Sequence, residues 1–345
     1  MERRQGGDGI SEVLGFVIIL AVVMAALSLY IGYGVPVLGR EGEIREMDAV
    51  RGWFVDYKTG VDQLWLNSAF VPKTDDPDNS RNGTGLFNAT IGQVTLRRVI
   101  NPMTAKEPGF FERYLPVFAP IRSSGEVSVR KDENITLSAT RDGVPAFEPK
   151  RFNATAVAYR SHNNYWLQQE YYYQMGGVFL RQWDQREGPG SATITVVASP
   201  PLSIFNTNET LSGDVVKVEM VVVNLNAETS GVSSTSPIRL ATRLDTDPFY
   251  LDDTDGLRSD EYSDVTLTFY GSSIESARAW AEVFNGSAKR QGGPDMEYGT
   301  HFTVVRPSDK VAQITVTGRH DKDVLLEVLD ARCSMRMENV PTVIE

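Results

Sequence analysis

Hydrophobic positions fall into three regimes along this chain. From Val13 to Ile31 the sequence VLGFVIILAVVMAALSLYI runs nineteen residues without a charge. At ~1.5 Å per residue a helix of that length spans about 28 Å, close to the ~30 Å hydrocarbon core of a bilayer. It has no polar side to turn to water, as the helix of a soluble core would. The run therefore predicts a single transmembrane helix, over residues 10–36. Gly32, Gly34 and Pro36 follow it, and a flexible pair beside a residue without an amide hydrogen predicts a break or bend. A second helix, residues 37–70, is predicted from Ile44, Met47, Val50, Phe54, Val61 and Leu64, which recur at helical steps as one apolar stripe. Glu43, Arg45, Glu46, Asp48 and Arg51 occupy the other faces on this reading.

Residues 71–85, rich in Pro, Asp, Asn and Gly, read as a linker. Beyond them strand patterns dominate: Val94–Ile100, Glu126–Arg130, Ile135–Ala139, Ala154–Tyr159, Thr193–Val197, Val215–Val223, Val265–Tyr270, Ala312–Thr317 and Val324–Leu329. These runs are rich in β-branched and aromatic residues, and most alternate. One helix is predicted among them, Ser273–Phe284, with Ala277, Trp280, Ala281 and Phe284 on one side. The stretch Tyr159–Gln182 reads as a hairpin in which Met175, Gly176 and Gly177 supply the positive φ angles of a tight turn. Tyr171 and Tyr173 then share one sheet face, and buried aromatic packing is expected of them ahead of sugar binding. The fold class expected is a mainly β external domain of β-sandwich-like sheets, residues 86–345, of one or two sub-domains, on a long N-terminal transmembrane and amphipathic helix.

Charge and composition narrow the chemistry. A formal net charge of -11 argues against nucleic acid, whose phosphates require clustered Lys and Arg. With one cysteine, Cys333, no intramolecular disulfide is possible. His162, His301 and His320 are scattered and lack zinc-binding spacing. No nucleophile elbow, phosphate-binding loop or dinucleotide fingerprint occurs. Cys333 is expected to be a packing residue. The acidic stretch around Asp253, Asp255 and Gly256 imitates part of a Ca²⁺ loop, but Leu251 and Tyr262 stand where its first and twelfth ligands would be. No metal, no cofactor and no enzymatic activity are therefore expected.

The residues ahead of the apolar run carry the most specific signal. RRQGGDGISEVLGF resembles an archaeal prepilin leader, with basic residues, a small residue and a short polar step into an unbroken helix. The resemblance implies a leader of residues 1–9, cleavage by a prepilin peptidase between Gly9 and Ile10, and a retained helix. It makes Glu12, Gly15 and Phe16 the anchor and assembly residues, with self-association through the helix. Glu12 would be the third mature residue, where the common pilin pattern has its acid at the fifth. An unprocessed signal anchor is the alternative. The SEVLGF start and the Tyr-rich hairpin ending in Gly-Gly also resemble a family of archaeal surface proteins common in methanogens.

Arg3 and Arg4 predict a cytoplasmic N-terminus, with membrane lipid around the helix and the bulk of the chain extracellular. Six Asn-x-Ser/Thr sequons, at Asn82, Asn88, Asn134, Asn153, Asn208 and Asn285, all lie beyond the helix. Roughly two would occur by chance, so the excess points to a glycosylated exported domain. Two functions fit: a pilin-like structural or display protein, and a monomeric membrane-anchored glycoprotein that binds the S-layer, a surface polymer or a partner protein.

Overall fold

A computed structural model of the chain describes residues 8–69, 95–100, 120–121, 123–183, 191–210, 213–227, 231–233, 237–245, 249–250, 262–291, 296–318 and 324–339. The linker expected at 71–85 and the acidic stretch with Asp253 and Asp255 lie outside these residues. So do Arg3, Arg4, His320, Asn82 and Asn88.

Of the break or bend expected at Gly32, Gly34 and Pro36, no break occurs, and the irregularity there is a π turn. Helix α1 (Asp8–Leu29) passes through a π turn (Tyr30–Gly34) directly into α2 (Val35–Ala69). The amide of Val35 donates to the carbonyl of Tyr30, five residues back. Pro36 explains the turn: in an α-helix its ring would strike the carbonyl four residues earlier, and it has no hydrogen to donate. Widening the helix by one residue just before it accommodates both defects without ending the helix.

The expected strands are all present. Along the chain they are β1 (Thr95–Ile100), β2 (Ser124–Arg130), β3 (Asn134–Arg141), β4 (Val144–Pro145), β5 (Lys150–Asn153) and β6 (Ala156–His162). Then come β7 (Gln168–Gln174), β8 (Gly177–Trp183), β9 (Ala192–Ala198), β10 (Leu202–Thr210), β11 (Gly213–Ala227) and β12 (Gly231–Ser233). The last are β13 (Ile238–Leu244), β14 (Phe249–Tyr250), β15 (Asp264–Tyr270), β16 (Phe302–Ser308), β17 (Val311–Thr317) and β18 (Val324–Asn339). Helix α3 (Ile274–Gln291) separates β15 from β16 and runs seven residues past its expected end at Phe284.

Among the described residues these strands form three six-stranded sheets. The first has the order β1-β13-β18-β11-β10, with β14 also on β18. The second is β12-β2-β6-β7-β8-β9, and the third is β16-β17-β15-β3-β4 with β5 also on β3. β11 and β18 pair in parallel, whereas the other strand pairs are antiparallel. The chain is thus a mostly β domain carried on a long N-terminal helix.

Two apolar cores share the second sheet as a common wall. Because side chains alternate along a strand, β7 sends Tyr172 into one core and Tyr171 and Tyr173 into the other. The first core lies around α3, whose Ala277, Trp280 and Phe284 are buried as the pattern predicts. The second lies around α2. The long strand β18 serves both, through Val324, Leu326 and Val328 at one end and Ala331, Cys333 and Met335 at the other.

A buried polar network ties the first core together. Glu133 accepts from Gln174 Nε2 (2.6 Å), from the amide and hydroxyl of Ser272 (2.9 and 2.7 Å) and from Ser276 Oγ (2.7 Å). Gln174 Oε1 in turn accepts from Trp280 Nε1 at 2.9 Å. Ser273 Oγ accepts the amide of Ser276 at the start of α3, an N-cap bond. Burial alone would push the Glu133 carboxyl up, but the four hydrogen bonds outweigh it and hold it below its ordinary 4.5.

Candidate membrane anchor and its seat

Helix α1 is long and apolar enough to cross a membrane once, and none of its apolar window is buried. Val13, Phe16, Ile19, Val22 and Leu29 are all more than half exposed. A helix apolar on every side and covered on none has its apolar surface free for lipid.

The residues singled out for processing and assembly lie on this helix. Gly9, Ile10 and Glu12 belong to its first turns, and their side chains lie outside what the structure describes. Nothing approaches within 4 Å of the position a Cβ would take at Gly15. The Phe16 ring is 66% exposed. Among the described residues, no contact is seen on that stretch of helix surface at Gly15 and Phe16.

The domain takes hold of the helix just beyond the π turn. Val35 is buried, and so are Met47, Val50, Phe54, Tyr57, Val61 and Trp65, while Ile44 and Leu64 are only half-buried. The stripe is thus rotated slightly from the one expected, toward Tyr57 and Trp65. The rings interlock with the Tyr-rich hairpin: Phe54 stacks on Tyr171 at 6.3 Å and Tyr57 meets Tyr173 edge-on at 5.2 Å. Tyr57 Oη also shares a 2.7 Å hydrogen bond with Thr242 Oγ1 on β13, so α2 is held by two sheets. The hairpin turn itself uses positive φ at Met175 (47°) and Gly176 (79°), whereas Gly177 already belongs to β8.

Glu43 departs from expectation. Instead of facing solvent it is 2% exposed. Its carboxylate accepts the amides of Asn164 (2.6 Å) and Tyr165 (2.9 Å), and the hydroxyl of Ser123. One turn on, Glu46 accepts from Tyr159 Oη at 3.0 Å, and burial, only partly offset by that bond, raises its carboxyl above the ordinary value. The loop Asn163–Leu167 between β6 and β7 is therefore clasped to α2. Gly39 makes this possible, since a Cβ there would run into the Tyr165 ring. The Arg40 guanidinium lies 4.0 Å over the Trp166 ring. Spacing could have revealed Glu43, because it stands four residues before Met47 and so continues the stripe by one turn.

The remaining candidates are dispersed. Asn153 is exposed, Asn134 sits opposite it in the β3–β5 pair and is half-buried, and Asn285 is half-buried on α3. Asn208 lies in β10, its side chain outside the described residues. His301 is buried, accepting the amide of Glu297 on Nδ1 at 3.0 Å, while His162 is exposed on the second sheet. Among the described residues no three His, Cys, Asp or Glu side chains are grouped as a metal site. Cys333 is fully buried, and burial first, then the Asp245 and Asp330 carboxylates, pushes its thiol up to about 12. That thiol is a packing group and a poor nucleophile. No protein-family model, curated protein or solved structure matches the chain.

Proposed function

We propose that the chain is an archaeal cell-surface protein in which a type IV pilin-like helix crosses the membrane once and carries the β-rich domain outside the cell, in a display or assembly role. The observation that carries this reading is helical continuity. A single rod from Asp8 to Ala69 has an uncovered apolar half and a half that packs one face into a domain core. A flexible tether would suffice for attachment alone. A rod instead fixes the height and orientation of the domain over the bilayer, and in an assembly it would fix the spacing of neighbouring domains. Arg3 and Arg4 and the sequons beyond the helix support the outward placement of the bulk, and Asn153 is exposed where Asn134 and Asn285 are half-buried.

Mass spectrometry of the mature N-terminus tests the pilin-type route. A chain that begins at Ile10 supports prepilin peptidase processing, and Met1 retained on exported protein overturns it. The size of the three-sheet domain favours a second reading, a monomeric glycoprotein that binds the S-layer, a surface polymer or a partner protein. Recovery of the chain in sheared surface filaments supports assembly. Its complete retention in detergent-extracted membranes supports the monomer.

A further inference from the structure

The rim of the domain nearest α1 carries apolar side chains that nothing in the fold requires to be exposed. Ile121 is 70% exposed and Leu167 36%. Ile121 and Leu167 are not stray loop residues. The amide of Ile121 donates to Tyr165 Oη at 3.0 Å, and Tyr165 is packed on Gly39. The adjoining Trp166 is stacked under Arg40, and the loop amides are fixed by buried Glu43. The molecule thus uses a buried carboxylate, a glycine and a cation–π contact to hold one short aromatic loop against the base of its stalk. Loss of that loop would not open either apolar core.

We infer that the Asn163–Leu167 loop, with Ile121, is a membrane-contacting foot whose partner is the headgroup layer of the bilayer crossed by α1. Height is consistent with this. Gly39 lies eight residues beyond Ile31, about 12 Å along the axis. A helix tilt of about 20° lowers one flank of the domain by about 2 Å at the ~5–6 Å radius of a helix. The polar zone of one leaflet is about 5–8 Å deep, which leaves about 2–5 Å for side chains projecting from this loop to cover. Trp and Tyr with an aliphatic neighbour suit that zone, being apolar bodies with polar tips. Arg40, stacked on Trp166, supplies a cation for lipid phosphate. The foot would stop the rod from rocking and hold the domain at one angle to the surface. It rests on the transmembrane reading of α1.

Full-length protein in phosphatidylcholine–phosphatidylglycerol vesicles tests it, with Cys333, buried and inert, left in place. Single variants I18C, I121C, L167C and V144C are labelled with a fluorophore and exposed to lipids bearing a nitroxide on the headgroup or deep in the acyl chain. The acyl nitroxide is expected to quench the label at 18, and the headgroup nitroxide the labels at 121 and 167. Neither should quench position 144, on the third sheet beyond the second from α2. Labels at 121 and 167 that stay bright while 18 is quenched overturn the foot and leave the anchor standing. An unquenched label at 18 overturns the anchor and the foot with it. Adding Glu43→Gln to L167C should lower headgroup quenching at 167 without changing acyl quenching in I18C, and equal quenching at 167 would remove Glu43 from the positioning role.

Discussion

Replacing Glu43 with Ala isolates what the buried carboxylate does. It accepts two backbone amides, of Asn164 and Tyr165, together with the Ser123 hydroxyl, while its own side chain is almost wholly inside. Hydrogen bonds to a charged acceptor contribute about 1.5–3 kcal/mol each, and amides left unpaired in a buried site lose that stabilisation. One such loss, at about 1.4 kcal/mol per factor of ten, corresponds to roughly 10- to 100-fold faster opening of the loop. Amide hydrogen exchange on the full-length protein in detergent reads this directly. The amides of Asn164 and Tyr165 should exchange faster by that factor in Glu43→Ala, while those of β7 and β8 beyond Tyr171 keep their protection. Two results would speak against a local clasp: wild-type amides at 164 and 165 that already exchange at unprotected rates, or a uniform acceleration across the second sheet. The first would remove the clasp. The second would make Glu43 a general stability residue instead of a local one.

Glu133→Gln should destabilise the domain by about 3 kcal/mol at neutral pH, because an amide cannot accept all four bonds and turns a donor toward donors. The Glu133 carboxyl is held below 4.5, so its contribution is present above that pH and is lost as pH falls through the folded value. The difference between wild type and variant in denaturant melts should therefore shrink below pH 4.5; a pH-independent difference would exclude an ionised Glu133. Tyr57→Phe leaves buried Thr242 without its partner and should cost about 1–3 kcal/mol. Tyr173→Phe removes a buried hydroxyl without a hydrogen-bond partner among the described residues, so thermal melts should find it neutral or stabilising. A maleimide should leave Cys333 unmodified in the native protein at pH 7.5 and label it fully in denaturant, as expected of a buried thiol raised to about 12.

Features that depend on one element alone were legible in the sequence. The uncharged run from Val13 to Ile31 needs only length and composition to be read as a spanning helix, and α1 keeps that surface uncovered. Alternation located the expected strands, and the spacing of Ala277, Trp280 and Phe284 fixed the buried side of α3. Features that depend on what packs opposite were not legible. Pro36 is a helix breaker by local rule, yet one π turn absorbs it and the helix runs on, with Val35 buried at the far side of the turn. Spacing extends the buried stripe to Glu43, but burial of a carboxylate is unfavourable unless donors are brought to it. Those donors come from residues 80 to 122 positions away, which no local pattern contains. The same distance hid Tyr57 and Trp65, whose burial depends on the hairpin and β13 arriving beside the helix.

External proteolysis of intact cells, followed by alkaline carbonate extraction of their membranes, tests whether α1 crosses a membrane and leaves the domain outside. Added protease should remove the β-rich domain, and the undigested chain should stay with the membrane pellet at high pH. A chain that carbonate releases, or a domain that intact cells protect, would contradict that placement.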